Sequence, residues 1–326
     1  MTSGDSPCPL FVLSLPRSGS TLLQRVLGSY PEIDTASEPW ILLALLSPLH
    51  EDLPGRAGRE PLVARAVSDF CEQLPGGVDD YRREMRETAL RLYGRAAEPG
   101  VRYYLDKTPM YHLIVEDIID LFPEAKVVFL WRNPLSVVAS TVELFHEGRW
   151  EVSRYYMSLF RSVSDLTSSF ARHGDRTHAV RYEDLLNEDD RSWRSLMDYL
   201  DLRFDPSSLR TFRDVDLHGR MGDPVGPAMY SSLSQEPLTK WRAVINNPVR
   251  KHWCRRYLHW IGRERLALMG YELDDLLGEL ERTPSSVRGS TPDLARLGAS
   301  IARDLIKARA PGYAGGPSVW PSVLGR

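Results

Sequence analysis

Cysteine is scarce: three residues in 326, Cys8, Cys71 and Cys254, far apart and odd in number. That excludes a disulfide framework and every C-x-x-C zinc pattern. It fits thiols that stay reduced, so a cytoplasmic location is expected. Long apolar runs are missing too. None is long enough to span a bilayer, and the opening MTSGDSPCP lacks a basic segment followed by an apolar stretch, so neither a membrane span nor a signal peptide is expected. Nor is there an excess of one charge. The 41 Lys+Arg and 44 Asp+Glu leave a formal net charge of −3, which gives no global field to attract nucleic acid or an anionic membrane. Any anion site must therefore be local. No ligand spacing suggests a metal, and no internal repeat is visible. What remains is an ordinary balance of 42 % hydrophobic and 26 % charged residues, on a chain long enough for one large α/β domain with additions.

The most informative stretch is Leu10 to Leu27. Leu10 to Leu15 is an apolar run of strand length. It breaks at Pro16-Arg17-Ser18-Gly19-Ser20-Thr21 and resumes as Leu22, Leu23, Val26 and Leu27, the spacing of one helical face. A strand, a small-residue turn and a helix make an anion site. The free N–H groups of the first helical turn converge there, and the helix dipole adds about half a positive charge. Gly19 allows close backbone approach, Ser18, Ser20 and Thr21 add hydroxyls, and Arg17 adds a fixed cation. The loop is like G-x-x-x-x-G-K-[ST] but lacks the leading Gly, and Ser20 stands where that motif has Lys. The same residues also suit a plain strand–turn–helix corner.

Further along, residues 30–35 read as a turn into a short second strand. Pro39 holds Glu38 in an extended loop, where it is a candidate general base or merely a cap for the next helix. Ile41 to Leu49 is expected to be helical, Gly55 to Gly58 a loop, and Pro61 to Arg95 a helical insertion. The third strand, Val101 to Leu105, ends in Asp106-Lys107-Thr108-Pro109. Asp106 suits a magnesium ligand of a kinase, and Lys107 suits a cation on a departing oxygen. A helix over Met110–Phe122 leads to a buried strand, Lys126 to Trp131. Arg132-Asn133-Pro134 follows, with a helix over Leu135–Phe145 that carries Ser140. Arg132 and Ser140 suit a second phosphate.

These two motifs, in this order, resemble the sulfotransferases that use 3′-phosphoadenosine 5′-phosphosulfate (PAPS). The resemblance implies a P-loop-type parallel sheet flanked by helices. It also implies a first loop for the 5′-phosphosulfate, and Arg132 and Ser140, eight residues apart, for the 3′-phosphate. Val180-Arg181-Tyr182-Glu183-Asp184-Leu185 resembles the segment whose Tyr lies near the adenine. Thr239-Lys240-Trp241 resembles the segment whose Lys closes over the nucleotide, and Lys107 matches the family's catalytic Lys. The His base of the cytosolic branch is absent, since Pro109 occupies its place. Glu38 stands where the tyrosylprotein-type and many bacterial members carry a Glu base, and His112 is a weaker candidate. The resemblance covers about residues 9 to 275.

The resulting expectation is metal-independent, in-line sulfuryl transfer from PAPS, leaving 3′-phosphoadenosine 5′-phosphate (PAP). The acceptor is a hydroxyl or amine of a small molecule or carbohydrate. Glu38, Lys107 and Arg17 carry the chemistry, and Arg17 to Thr21, Arg132, Ser140, Tyr182 and Lys240 hold the nucleotide. A homodimer is compatible. The alternatives are a P-loop kinase using ATP and Mg²⁺, and a non-catalytic nucleotide-binding protein. Residues 1–283 read as the sulfotransferase domain, with a helical insertion over about 55–100. Residues 284–326 read as a Ser/Pro-rich linker, a helix over 293–310 and a Gly/Pro tail. Met221, Met229 and Tyr230 suit an acceptor pocket or loop packing, and the stretch Val249 to Met269, strongly amphipathic and basic, is expected to be a helix with a solvated face.

Overall fold

The computed structural model describes residues 6–51, 53, 60–187, 189–219, 221 and 234–308. The loop expected at Gly55 to Gly58, the residues Met229 and Tyr230 and the Gly/Pro tail lie outside them. Five parallel strands form one sheet in the order β2-β3-β1-β4-β5. They are β1 (Cys8–Ser14), β2 (Ile33–Thr35), β3 (Tyr103–Asp106), β4 (Lys126–Trp131) and β5 (His178–Arg181). Two strands, β1 and β4, read as unbroken apolar runs because helices cover both faces of a parallel sheet. The alternation still sorts their side chains. Phe11, Leu13, Phe129 and Trp131 enter one core layer, and Leu10, Val12, Val128 and Leu130 enter the other. All eight are at most 1 % exposed, and each such side chain is worth about 1.5–3 kcal/mol.

The helices up to residue 199 are α1 (Ser20–Leu27), α2 (Ile41–Leu46), α3 (Glu60–Cys71), α4 (Val78–Ala96), α5 (Val115–Leu121), α6 (Pro134–His146), α7 (Ser162–His173), α8 (Tyr182–Leu185) and α9 (Arg191–Tyr199). The insertion between β2 and β3 is thus the pair α3 and α4. The helix expected over Met110–Phe122 begins as a 3₁₀ turn, Pro109–Ile114, before α5 takes over. The connection leaving β1 runs to one edge of the sheet, and the chain later crosses back to build β4 on the other side. The loops after β1, β3 and β4 therefore meet at the sheet's carboxyl edge, the switch point at which open α/β sheets bind ligands.

The amphipathic basic helix expected after residue 249 does carry a solvated face, with Arg255 and Arg263 at the surface, but the expectation needs correction at two residues. The helix Pro248–Leu268 buries Trp253, Cys254, Tyr257, Leu258 and Ile261. Two of its basic residues also turn inward. Lys251 is 8 % exposed and donates to the carbonyls of Glu281 and Thr283 at 3.1 and 2.8 Å. Arg250 donates to Asp293 at 2.6 Å, docking the helix Ser290–Ala308. Basic residues mislead here because their stems are apolar and their heads find buried carbonyls. Among the described residues no helix is long and apolar enough to cross a membrane.

Candidate functional site

The turn after β1 is built from two left-handed residues, Arg17 (φ 68) and Gly19 (φ 87), on either side of a fully buried Ser18. Gly19 opens α1, and its carbonyl accepts from the amides of Leu22 and Leu23. A Cβ at Gly19 would lie 2.2 Å from the ring of Tyr182. The glycine is therefore demanded by backbone sign and by that ring, a different reason from the close approach of a phosphate inferred from sequence. Ser20 and Thr21 are 6 and 8 % exposed.

The turn after β4 locks onto this loop. Arg132 donates through Nη1 to the Arg17 carbonyl at 2.8 Å and through Nη2 to the Pro237 carbonyl at 3.2 Å. Its guanidinium lies 4.5 Å from the centre of the Tyr182 ring. Arg17 reaches the other way, its Nε donating to Ser140 Oγ on α6 at 3.2 Å. Arg17, Arg132 and Ser140, spread over more than 120 positions of sequence, are thus joined by two hydrogen bonds. Two buried atoms here, Ser18 Oγ and Arg132 Nε, have no hydrogen-bond partner.

On the other side of β1, the loops after β2 and β3 meet. Lys107 is 1 % exposed and donates to Glu38 Oε1 at 3.0 Å, and Trp40 Nε1 donates to Glu38 Oε2 at 3.3 Å. Glu38 keeps 14 % of its side chain exposed, so the pair is sheltered but reachable. Asp106 is fully buried and accepts from Tyr93, Tyr111 and Thr108 at 2.7, 2.8 and 3.2 Å. Enclosed in hydroxyls, it offers no open face to a magnesium ion, against the kinase reading of that residue.

A profile described as the sulfotransferase family matches residues 9–206, well over half the chain and the whole sheet. The chain belongs to the sulfotransferase family. Nodulation protein NoeE of Sinorhizobium fredii is 38 % identical over 145 residues, which are 43 % of this chain and 33 % of NoeE. An uncharacterized protein of Aquifex aeolicus is 29 % identical over 138 residues, 41 % of this chain and 17 % of its own length. The matched part thus spans a third or less of those two relatives. Protein-tyrosine sulfotransferase 1 of Danio rerio is 22 % identical over 274 residues, 81 % of this chain and 72 % of its own. In fold, the chain is similar to the sulfotransferase domain of the Synechococcus PCC 7002 olefin synthase. The TM-score is 0.50 at 23 % identity, covering 74 % of this chain and 90 % of that one.

The other residues singled out in this sulfotransferase chain fall as follows. Tyr182 is 1 % exposed, packed between Gly19 and Arg132, so it braces the loop. Lys240 is exposed and sits 3.4 Å from Glu143, one helical turn beyond Ser140. His112 has a fully buried side chain whose Nδ1 lies 2.9 Å from Asp165 on α7, closing it off from any acceptor. Among the described residues no cluster of three or more metal-ligating side chains occurs. Met221 is 52 % exposed.

Sequence reasoning missed Glu183. Its Oε1 accepts from the Asn133 amide at 2.9 Å and its Oε2 from the Tyr271 hydroxyl at 2.6 Å. Burial, then the Glu183 charge, push the Tyr271 hydroxyl well above its ordinary pKa, so it remains a donor. Asn133 caps α6 ahead of Pro134, its Oδ1 accepting from the Leu135 amide at 2.9 Å.

Proposed function

We propose that this chain transfers a sulfuryl group from PAPS to a hydroxyl or amine of a small molecule or carbohydrate. The observation that carries the reading is the Glu38–Lys107 pair, 3.0 Å apart, at the same sheet edge as the Arg17–Thr21 loop. The donor site fits the residues present. Ser18 Oγ and Arg132 Nε are buried polar atoms without partners, Arg132 and Arg17 are cations, and the first turn of α1 adds oriented amides. In this reading the loop from Arg17 to Thr21 takes the 5′-phosphosulfate, and Arg132 with Ser140 takes the 3′-phosphate. Tyr182 and Lys240 serve the nucleotide from beneath and from the rim.

The acceptor oxygen or nitrogen forms its bond to sulfur as the bond from sulfur to the phosphate oxygen breaks. Glu38 takes the acceptor's proton, and the electron pair leaves on PAP. Lys107 and Arg17 stabilise negative charge gathering on the sulfuryl and leaving oxygens. The phosphate is a good leaving group, so the step is written without a metal. Residues 1–283 carry this chemistry. A cytoplasmic setting is in keeping with the three free thiols.

The test is turnover of sulfur-labelled PAPS over a panel of phenols, sugars and amines, with products read by mass spectrometry. The expected result is labelled acceptor that forms equally in EDTA, with ATP inert as donor. Glu38→Gln should lower kcat by roughly 10²–10⁴ and leave PAP affinity unchanged. Full rate in that variant would overturn the base assignment, and transfer from ATP with Mg²⁺ would overturn the reaction.

A further inference from the structure

We propose that Asp106, through the hydroxyls of Thr108 and Tyr111, is the positioning device that holds the Glu38 loop in register with Lys107. The inference rests on the reading above and deepens it. The geometry is a relay. The Asp106 carboxylate accepts from the hydroxyls of Thr108, Tyr111 and Tyr93. A carboxylate has no proton to give, so all three hydroxyls point their protons at it and turn lone pairs outward. Two of those lone pairs are used by the neighbouring loop. Thr108 Oγ1 accepts from the Trp40 amide at 3.3 Å, and the Tyr111 hydroxyl accepts from the Leu42 amide at 3.1 Å. The carboxylate thus sets the direction of two bonds it does not itself make.

What those bonds hold is the Glu38 carboxylate. Trp40 sits at φ 58, a left-handed conformation that a bulky side chain keeps only where its surroundings fix it. In that conformation its indole Nε1 reaches Glu38 Oε2, and Lys107, next to Asp106 in sequence, holds Oε1. Both oxygens of the proposed base are therefore gripped by residues anchored to one buried carboxyl. Tyr93 differs from the other two hydroxyl donors. It reaches Asp106 from α4, outside both loops, and is given no amide of the Glu38 loop to hold.

This difference supplies the experiment. Thr108→Val, Thr108→Ser, Tyr111→Phe and Tyr93→Phe are compared with the wild type in the full chain, using labelled PAPS and the best acceptor of the phenol, sugar and amine panel. PAP affinity is measured by calorimetry and Tm by thermal melting. Thr108→Val and Tyr111→Phe should lower kcat by about 10–100-fold, as small misplacements of a reacting group do, with PAP affinity unchanged. Thr108→Ser keeps the hydroxyl and should restore at least half of the wild-type kcat. Tyr93→Phe should stay within about twofold of the wild-type kcat even where its Tm falls as far as that of Tyr111→Phe. Equal kcat losses in Tyr93→Phe and Tyr111→Phe would overturn the proposal in favour of a merely structural cluster, as would wild-type kcat in Thr108→Val. If the wild type transfers no label to any acceptor, the reaction itself is wrong. An active wild type with indifferent variants removes only the relay.

Discussion

At Asp106, burial pushes the carboxyl pKa up to about 6, against hydrogen bonds from Tyr93, Tyr111 and Thr108 and the nearby Lys107 charge that pull it down. Tyr104, stacked on Tyr93 with ring centres 4.9 Å apart, lies near enough that the Asp106 charge adds to burial in raising its hydroxyl pKa. The folded protein therefore holds this proton more tightly than the unfolded chain, whose carboxyl titrates near 3.8. The sign is opposite to that of an exposed, salt-bridged acid. The contribution of Asp106 to stability rises as pH falls from about 6 to 3.8, by an amount on the order of 3 kcal/mol for two pKa units. Thermal melts of wild type and Asp106→Asn should show their Tm difference moving in favour of the wild type across that window. A difference flat in pH would mean that the carboxyl titrates normally. The sequence does show a carboxylate at a strand end, and such a residue reads naturally as a metal ligand. Its partners decide otherwise. Tyr93 comes from a helix 13 positions away and Tyr111 from a 3₁₀ turn. Glu38 and Lys107 were legible as residues, because each follows a strand, yet their contact crosses 69 positions and belongs to tertiary packing.

Among the elements, the strand–turn–helix from β1 to α1 is the one whose form follows most directly from its letters. An apolar run ends at Pro16, and the amphipathic spacing resumes after Gly19. The sequence did not reveal what Gly19 faces. Gly19→Ala would place a Cβ into the Tyr182 ring at a left-handed φ, a combined steric and backbone penalty that the loop can relieve only by moving. PAP affinity should fall at least tenfold and Tm by several degrees, and unchanged calorimetric titration would mean the turn has another shape. The segment after Pro109 shows the limit of periodicity. Its apolar spacing suits a single helix, but the Tyr111 amide bonds to the Thr108 carbonyl, three residues back, and the tighter turn aims the Tyr111 hydroxyl at Asp106.

Across the whole molecule, the long basic helix and the helix Ser290–Ala308 are joined through one carboxylate. Asp293 is 1 % exposed and accepts from Arg250 Nε at 2.6 Å, Asn247 at 2.8 Å and Arg296 at 3.3 Å. Asp293→Ala leaves the Arg250 charge half-partnered in a sheltered place, so it should lower stability by about 3–5 kcal/mol in chemical denaturation. Its kcat should stay at the wild-type value, since none of these groups lies at the sheet's carboxyl edge. A loss of turnover with stability intact would tie the helix to the reaction instead. The sequence hid this joint because Asp293 and Arg250 sit 43 positions apart in stretches of ordinary surface composition. The order of the strands has a consequence for how such a chain can diversify. In the proposed reaction, β2 and β3 suspend Glu38 and Lys107 on one flank of β1, while β4 and β5 suspend Arg132 and Tyr182 on the other. The insertion α3 and α4 is spliced into the first flank alone. In that reaction, a change on the outer face of the insertion leaves the Arg132–Arg17 and Arg17–Ser140 hydrogen bonds of the other flank untouched.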